Sequence, residues 1–133
     1  MKILIIDAQG GGIGKQLVLA VKGSMPDAVV TAVGTNSAAT SAMLKAGADH
    51  AATGENAVVV NSRKADVIIG PVGIVIADAL FGEITPLTAK AVAQSSGKRI
   101  LIPVNHCDNI VVGVGDLNLN RLIQDVIREL EKL

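Results

Sequence analysis

The residues best suited to chemistry are the glycines that follow the first apolar run of the chain. Lys2–Asp7 has the composition of a buried strand, and Gly14–Lys22 has the pattern of a helix. Bare backbone N–H groups and the positive end of a helix dipole meet at such a junction, which suits a phosphate group. The sequence therefore predicts a phosphate site formed by Gly10, Gly11, Gly12, Ile13, Gly14 and Lys15.

This glycine loop matches no nucleotide-binding motif completely. The dinucleotide pattern G-x-G-x-x-G fits Gly10 and Gly12, but Lys15 stands at the third glycine. The short-chain dehydrogenase pattern G-x-x-x-G-I-G fits better, with Ala8 at its first glycine, although the chain has no tyrosine for the catalytic pair of those enzymes. The loop also resembles the P-loop of small ATPases, but Gln16 replaces the hydroxyl residue that binds Mg²⁺. The alternative to nucleotide binding is a loop that only lets the first helix pack closely.

The second candidate segment lies about 20 residues further on, where dinucleotide sites usually carry an acid that holds the adenosine ribose. The corresponding region here is Gly34–Ser37, which contains no acid, and the next acid along the chain is Asp49. Thr35, Asn36 and Ser37 can still hydrogen-bond a ribose or a phosphate. They do not distinguish NAD from NADP. The sequence therefore does not identify the cofactor, which could be NAD(P) or another nucleotide.

The elements that must position these residues are strands alternating with helices. This alternation predicts a three-layer, doubly wound Rossmann-like α/β fold with a mainly parallel sheet, in one domain spanning 1–133. The five predicted strands are Lys2–Asp7, Ala28–Gly34, His50–Thr53, Asp66–Gly70 and Arg99–Val104. A short sixth strand at Asn109–Val114 would be antiparallel, since its connector is short. Helices are expected at Gly14–Lys22, from Ser37 to Lys45, up to Arg63, at Gly73–Phe81, from Pro86 to about Gly97, and at Leu117–Leu133.

Ligands of open parallel sheets bind beyond the carboxyl ends of the strands. Every predicted strand end is glycine-rich or polar, so this edge of the sheet is expected to bind a ligand. The further candidates at this edge are Gly70, Pro71, Gly73 and Asn105. His106 and Cys107 follow Asn105, but neighbours on an extended chain point to opposite faces, which favours a polar turn over a catalytic or metal site. Asp7 ends the first strand and is expected to cap nearby N–H groups, and the alternative is that it orients the glycine loop or approaches a metal.

Composition restricts the partners. Twelve basic and twelve acidic residues give 133 residues no net charge, which argues against nucleic acid and against an anionic membrane. One cysteine is typical of a reducing compartment, and glycines, a proline and an aspartate interrupt the most apolar stretch, Val67–Phe81. We therefore expect a cytoplasmic protein that does not enter the membrane. Residues 66–98 carry few charges, which predicts a homodimer.

Five segments resemble a family of short bacterial proteins catalogued as a domain of unknown function: DAQGGGIGKQLV, VGTNSAATSAMLKAGAD, TGENAVVVN, IIGPVGIVIAD and ILIPVN. The resemblance implies a Rossmann-like fold and a cytoplasmic location, and it implies no reaction and no catalytic residue. Two functions stay open from the sequence. One is a protein that binds a nucleotide or another phosphate-bearing small molecule without chemistry of its own. The other is a small NAD(P)-linked oxidoreductase or a subunit of one.

Overall fold

The computed structural model describes residues 1–104, 108–115 and 118–133, and these form an α/β fold around one five-stranded parallel sheet. The strand order is β3-β2-β1-β4-β5. The strands are β1 (Lys2–Asp7), β2 (Val29–Gly34), β3 (His50–Thr53), β4 (Val67–Pro71) and β5 (Lys98–Ile102). The helices are α1 (Gly12–Ser24), α2 (Ser37–Lys45), α3 (Glu55–Ser62), α4 (Pro86–Ala93) and α5 (Leu119–Glu131). None of the helices in these ranges is long and apolar enough to cross a bilayer.

Strand β1 lies at the centre of the sheet and is buried on both faces. Ile3 and Ile5 belong to a core that they share with α1, α2 and α5. Leu4 and Ile6 point to the opposite face, where they pack in a second core with residues of α3 and α4. A continuous apolar run is typical of a strand covered on both sides, so the predicted three-layer arrangement is confirmed.

Polar side chains fix where two of the helices begin. The Asn36 side-chain oxygen accepts a hydrogen bond of 2.9 Å from the Ala39 N–H, so Asn36 caps α2 and the helix begins at Ser37. The Thr85 hydroxyl accepts from the Thr88 N–H at 3.1 Å, and Pro86 occupies the first helical position of α4.

The prediction of a sixth strand at Asn109–Val114 was wrong. The segment contains a turn, with Gly113 at a φ of +88°, and it pairs with no strand of the described chain. Ile110 is 90% exposed and Val112 is 92% exposed. The β-branched residues resemble a strand in sequence, but a strand needs a neighbouring strand to pair with and a face to bury, and within the described chain the segment joins no sheet and 110–114 are exposed.

The prediction of a helix over Gly73–Phe81 was also wrong. Only Val72–Val75 forms a single 3₁₀ turn, and the chain then passes through residues with positive φ at Asp78, Leu80 and Phe81. Two backbone hydrogen bonds close this segment on itself, from the Asp78 N–H to the Ile84 carbonyl at 2.7 Å and from the Ile84 N–H to the Ala79 carbonyl at 3.2 Å. Ile74, Ala79 and Leu80 are buried in the second core by these turns, so contacts with distant residues, and not the helical spacing, determine the form of the segment.

Gly70 lies inside β4, and its lack of a side chain is required by the neighbouring strand. A Cβ there would lie 2.5 Å from the backbone oxygen of Ile6. We expect Gly70→Ala to lower the free energy of unfolding by about 1–3 kcal/mol, since overpacking a buried position typically costs that much. Chemical denaturation measures the change.

The matched control is Gly23→Ala near the end of α1, where an added Cβ meets no atom within 4 Å. This variant should be as stable as the original protein or more stable by up to about 1 kcal/mol, since alanine favours helices over glycine. Equal stabilities for Gly70→Ala and the original protein would show that the two strands separate easily at this point.

Candidate functional site

The candidate site lies at the carboxyl edge of the sheet, where β1 and β4 are neighbours. The chain leaves β1 toward α1 on one face and leaves β4 toward the second core on the other face. Ligands of open α/β sheets bind at such a reversal of strand order. Three predicted segments lie at this edge: Gly10–Lys15 follows β1, Thr35–Ser37 follows β2, and Gly70–Gly73 covers the last two residues of β4 and the turn after it. Asn105, His106 and Cys107 lie outside the described residues.

Two glycines of the loop are required for packing. Gly11 has a φ of +75°, and a Cβ on it would lie 2.8 Å from the Cα of Ala39 in α2. A Cβ on Gly14 would lie 2.5 Å from the Met43 sulfur and 2.8 Å from the Cβ of Asp7. These two positions therefore let α1 and α2 approach the end of β1.

Gly10 and Gly12 have a different environment. Both are exposed, and a Cβ on either would meet no atom within 4 Å. Their N–H groups and that of Ile13 have no acceptor in the described part of the chain, and no side chain caps α1. These donors therefore lie without a protein acceptor in the described chain, at the positive end of a helix dipole.

Asp7 ends β1 beneath the glycine loop. One oxygen of its buried carboxylate accepts from the Ala8 N–H at 2.8 Å, and the other accepts from the Gly14 N–H at 2.6 Å. Burial raises the pKa of Asp7 more than these two hydrogen bonds lower it, and the negative charge of Glu83 raises it further. The expectation that Asp7 caps nearby N–H groups is confirmed, and it takes the Gly14 N–H away from any ligand.

The loop after β2 is tied to the glycine loop by its backbone and by one side chain. The Thr35 N–H donates to the Asp7 carbonyl at 3.1 Å, and the Asn36 side-chain amide donates to the Gln9 carbonyl at 2.9 Å. Lys15 is exposed on the first turn of α1, where its backbone N–H donates to the Gly11 carbonyl at 2.8 Å, and its ammonium group makes no hydrogen bond or ion pair within the ranges described. Ser37, the first residue of α2, is exposed as well.

Glu83 joins both loops, although no sequence motif pointed to it. Its carboxylate accepts from the Asn36 amide at 2.6 Å, from the Thr35 hydroxyl at 2.9 Å, and from the Gln9 N–H at 3.1 and 3.2 Å. Burial raises the pKa of Glu83, but the hydrogen bonds from Asn36, Thr35 and Gln9 outweigh it, so the pKa lies below its ordinary value. Glu83 therefore stays charged at neutral pH.

Sequence separation explains why Glu83 was missed. It lies 47 residues from Asn36, beyond the reach of any local pattern. The one feature of the sequence that could have drawn attention to Glu83 is that it is one of the few charged residues in 66–98.

The candidates after β4 serve mainly the fold. Gly70 is a packing glycine, Pro71 stands before the 3₁₀ turn with an extended backbone, and Gly73 is buried within that turn. A separate open groove of roughly 350 Å³ lies at the amino edge of the sheet and includes Lys2, His50 and Lys64. None of the predicted site residues lines it. Among the described residues no three His, Cys, Asp or Glu side chains are placed to hold a metal ion.

A family model matches residues 2–133, and its description is Domain of unknown function (DUF3842). This chain belongs to the DUF3842 family. The resemblance to a family of that kind is thereby confirmed. No curated protein matches the chain in sequence.

One solved structure with a similar fold is the dodecameric FMN-dependent Ubix-like decarboxylase from Escherichia coli O157:H7. The two chains superpose with a TM-score of 0.51 and share 18% identity, over 99% of this chain and 75% of that chain. At this identity the similarity establishes the Rossmann-like fold alone.

The hydrogen bonds to Glu83 predict that the stability of the fold depends on pH. The pKa of folded Glu83 lies below its ordinary value of 4.5, so the carboxylate stabilises the fold above that pH. This contribution is lost as the pH falls through the folded pKa. We expect Glu83→Gln to cost about 1 kcal/mol at pH 7, because hydrogen bonds to a charged acceptor are stronger and partial exposure weakens them.

Thermal unfolding at a series of pH values measures this difference. The melting temperatures of the variant and the original protein should converge once the pH has fallen below the folded pKa of Glu83, where the carboxylate is protonated. Glu131→Gln, the same exchange at an exposed position of α5, serves as the control and should show no such convergence. A difference in melting temperature between Glu83→Gln and the original protein that stayed the same at every pH would contradict the stabilising role of the Glu83 charge.

Proposed function

We propose that this chain binds a phosphate-bearing small molecule, a nucleotide first among them, at the carboxyl edge of β1, β2 and β4. The observation that carries the proposal is the open space at Gly10 and Gly12, beside the unbonded N–H groups of Gly12 and Ile13. If the loop served packing alone, these two positions would not need to be glycine, as Gly11 and Gly14 do. A phosphate oxygen would accept hydrogen bonds from these groups.

Electrostatics supports a phosphate at the start of α1 rather than elsewhere on this edge. The helix dipole and the free Lys15 ammonium group are favourable to an anion there. The Asp7 carboxylate opposes an anion less than a free one would, because its two oxygens already accept hydrogen bonds from the Ala8 and Gly14 N–H groups. Glu83 opposes an anion beside the β2 loop, so the phosphate would lie toward α1 and a neutral part of the ligand toward β2.

The decisive variant is Gly12→Val. Its side chain would fill the space through which the N–H groups reach a phosphate, and we expect binding to weaken by at least about tenfold, since hydrogen bonds to a charged group are worth about 1.5–3 kcal/mol. Calorimetry against NAD, NADP, ATP, AMP and FMN measures the affinity. FMN is included because the E. coli decarboxylase of similar fold is FMN-dependent.

Gly23→Val is the matched control, since it makes the same exchange near the other end of α1, again where a Cβ meets no atom within 4 Å. It should leave binding unchanged. If the original protein binds none of these compounds, or if Gly12→Val unfolds while Gly23→Val does not, the loop is a packing device and the proposal is wrong.

Lys15→Ala should weaken binding less than Gly12→Val, by about two- to fivefold, because an exposed charge contributes less than about 1 kcal/mol. The same calorimetric titration measures it. A loss equal to that of Gly12→Val would move the main phosphate contact from the backbone to the lysine.

We also propose that the chain associates with itself. The Phe81 side chain is 98% exposed, and Leu87 nearby in sequence is 49% exposed, both within the charge-poor segment that predicted a dimer. Sedimentation velocity at micromolar concentration should show an oligomer, and Phe81→Ser should shift it toward the monomer. A single 13.6 kDa species for the original protein would contradict this proposal.

A further inference from the structure

We infer that Glu83 recognises the sugar of the bound nucleotide, accepting hydrogen bonds from ribose hydroxyl groups and rejecting a ribose that carries a 2′-phosphate. This inference rests on the proposed function, because it assigns the part of the same site that lies toward β2. It selects nucleotides with an unmodified ribose as the ligand class.

The position of the Glu83 carboxylate supports this role. Dinucleotide sites of this fold use an acid at the end of β2 to bind the ribose 2′-hydroxyl. The β2 end of this chain carries no acid, but the Glu83 carboxylate lies against Thr35 and Asn36, the two residues that follow β2. It also contacts the Gln9 N–H, at the start of the glycine loop. A distant segment thus brings a carboxylate to the place where the local sequence has none.

The carboxylate has capacity left for a ligand. Its Oε1 accepts from Thr35, Asn36 and Gln9, whereas the only donor to Oε2 among the described residues is the same Gln9 N–H, at 3.1 Å. A carboxylate oxygen can accept about two hydrogen bonds, so Oε2 can take a hydroxyl group. The side chain is half-buried, which leaves it accessible from the solvent side.

The surrounding structure holds this acceptor in one place and keeps it charged. Three donors fix the head group, and the preceding turn has positive φ at Leu80, Phe81 and Gly82, which directs the chain back to the edge of the sheet. A fixed negative charge favours neutral hydroxyl donors and repels a second phosphate. The acid would therefore divide the ligand into a phosphate over α1 and an unphosphorylated sugar over β2.

The first test needs only the original protein. Calorimetry compares NAD with NADP, and AMP with 2′-deoxy-AMP. We expect NAD to bind about tenfold more tightly than NADP, and AMP about fivefold more tightly than 2′-deoxy-AMP, because one hydrogen bond to a charged acceptor is lost in each weaker ligand. Equal affinities within both pairs would overturn the inference, while binding that is abolished by Gly12→Val would leave the proposed function standing.

The second test is Glu83→Gln, with Glu131→Gln as its control and circular dichroism to check folding. The variant should lose about tenfold in affinity for NAD and much less for NADP, so that the preference for NAD disappears. An equal loss of affinity for NAD, NADP, AMP and 2′-deoxy-AMP would mean that Glu83 only positions the loops. A uniform gain would mean that it occludes the site. Either result overturns the inference, and a protein that binds no nucleotide overturns both this inference and the proposed function.

Discussion

The structure depends on the burial of β1 between two layers of helices. Because Ile3 to Ile6 are each no more than 1% exposed, the chain must leave the end of β1 and begin a covering helix within a few residues. That close approach places Gly11 against α2 and Gly14 against Asp7, so no side chain fits at either. Tight packing at the strand end is thus the reason that glycines accumulate there.

The same packing leaves backbone N–H groups without an acceptor beside Gly11 and Gly14 in the described chain. Asp7 accepts from the Gly14 N–H, and the Gly12 and Ile13 N–H groups at the start of α1 have no acceptor in the described chain. A helix terminus of this kind normally has a side-chain cap, a solvent shell or a ligand. Packing therefore explains why Gly11 and Gly14 are glycines, whereas it does not explain Gly10 and Gly12.

Charge divides the carboxyl edge of the sheet into two parts. The start of α1 combines a helix dipole with Lys15, whereas the β2 side carries the Glu83 carboxylate held by Thr35 and Asn36. Asp7 lies beneath them with a raised pKa, partly because of Glu83. This division of charge is the reason that the proposed ligand has a phosphate at one end and hydroxyl groups at the other.

Local sequence determined most of the elements, because strand burial and helix caps are short-range signals. The apolar run of β1, the cap at Thr85 and the proline at Pro86 each act within a few residues, and the structure agrees with them. Segments whose form depends on distant partners were predicted wrongly. Asn109–Val114 has the composition of a strand but joins no sheet in the described part of the chain. Gly73–Phe81 has helical spacing, yet turns bring its buried side chains into the second core. Glu83 reaches Asn36 across 47 residues through those turns, so only the tertiary structure decided which acid lies at the candidate site.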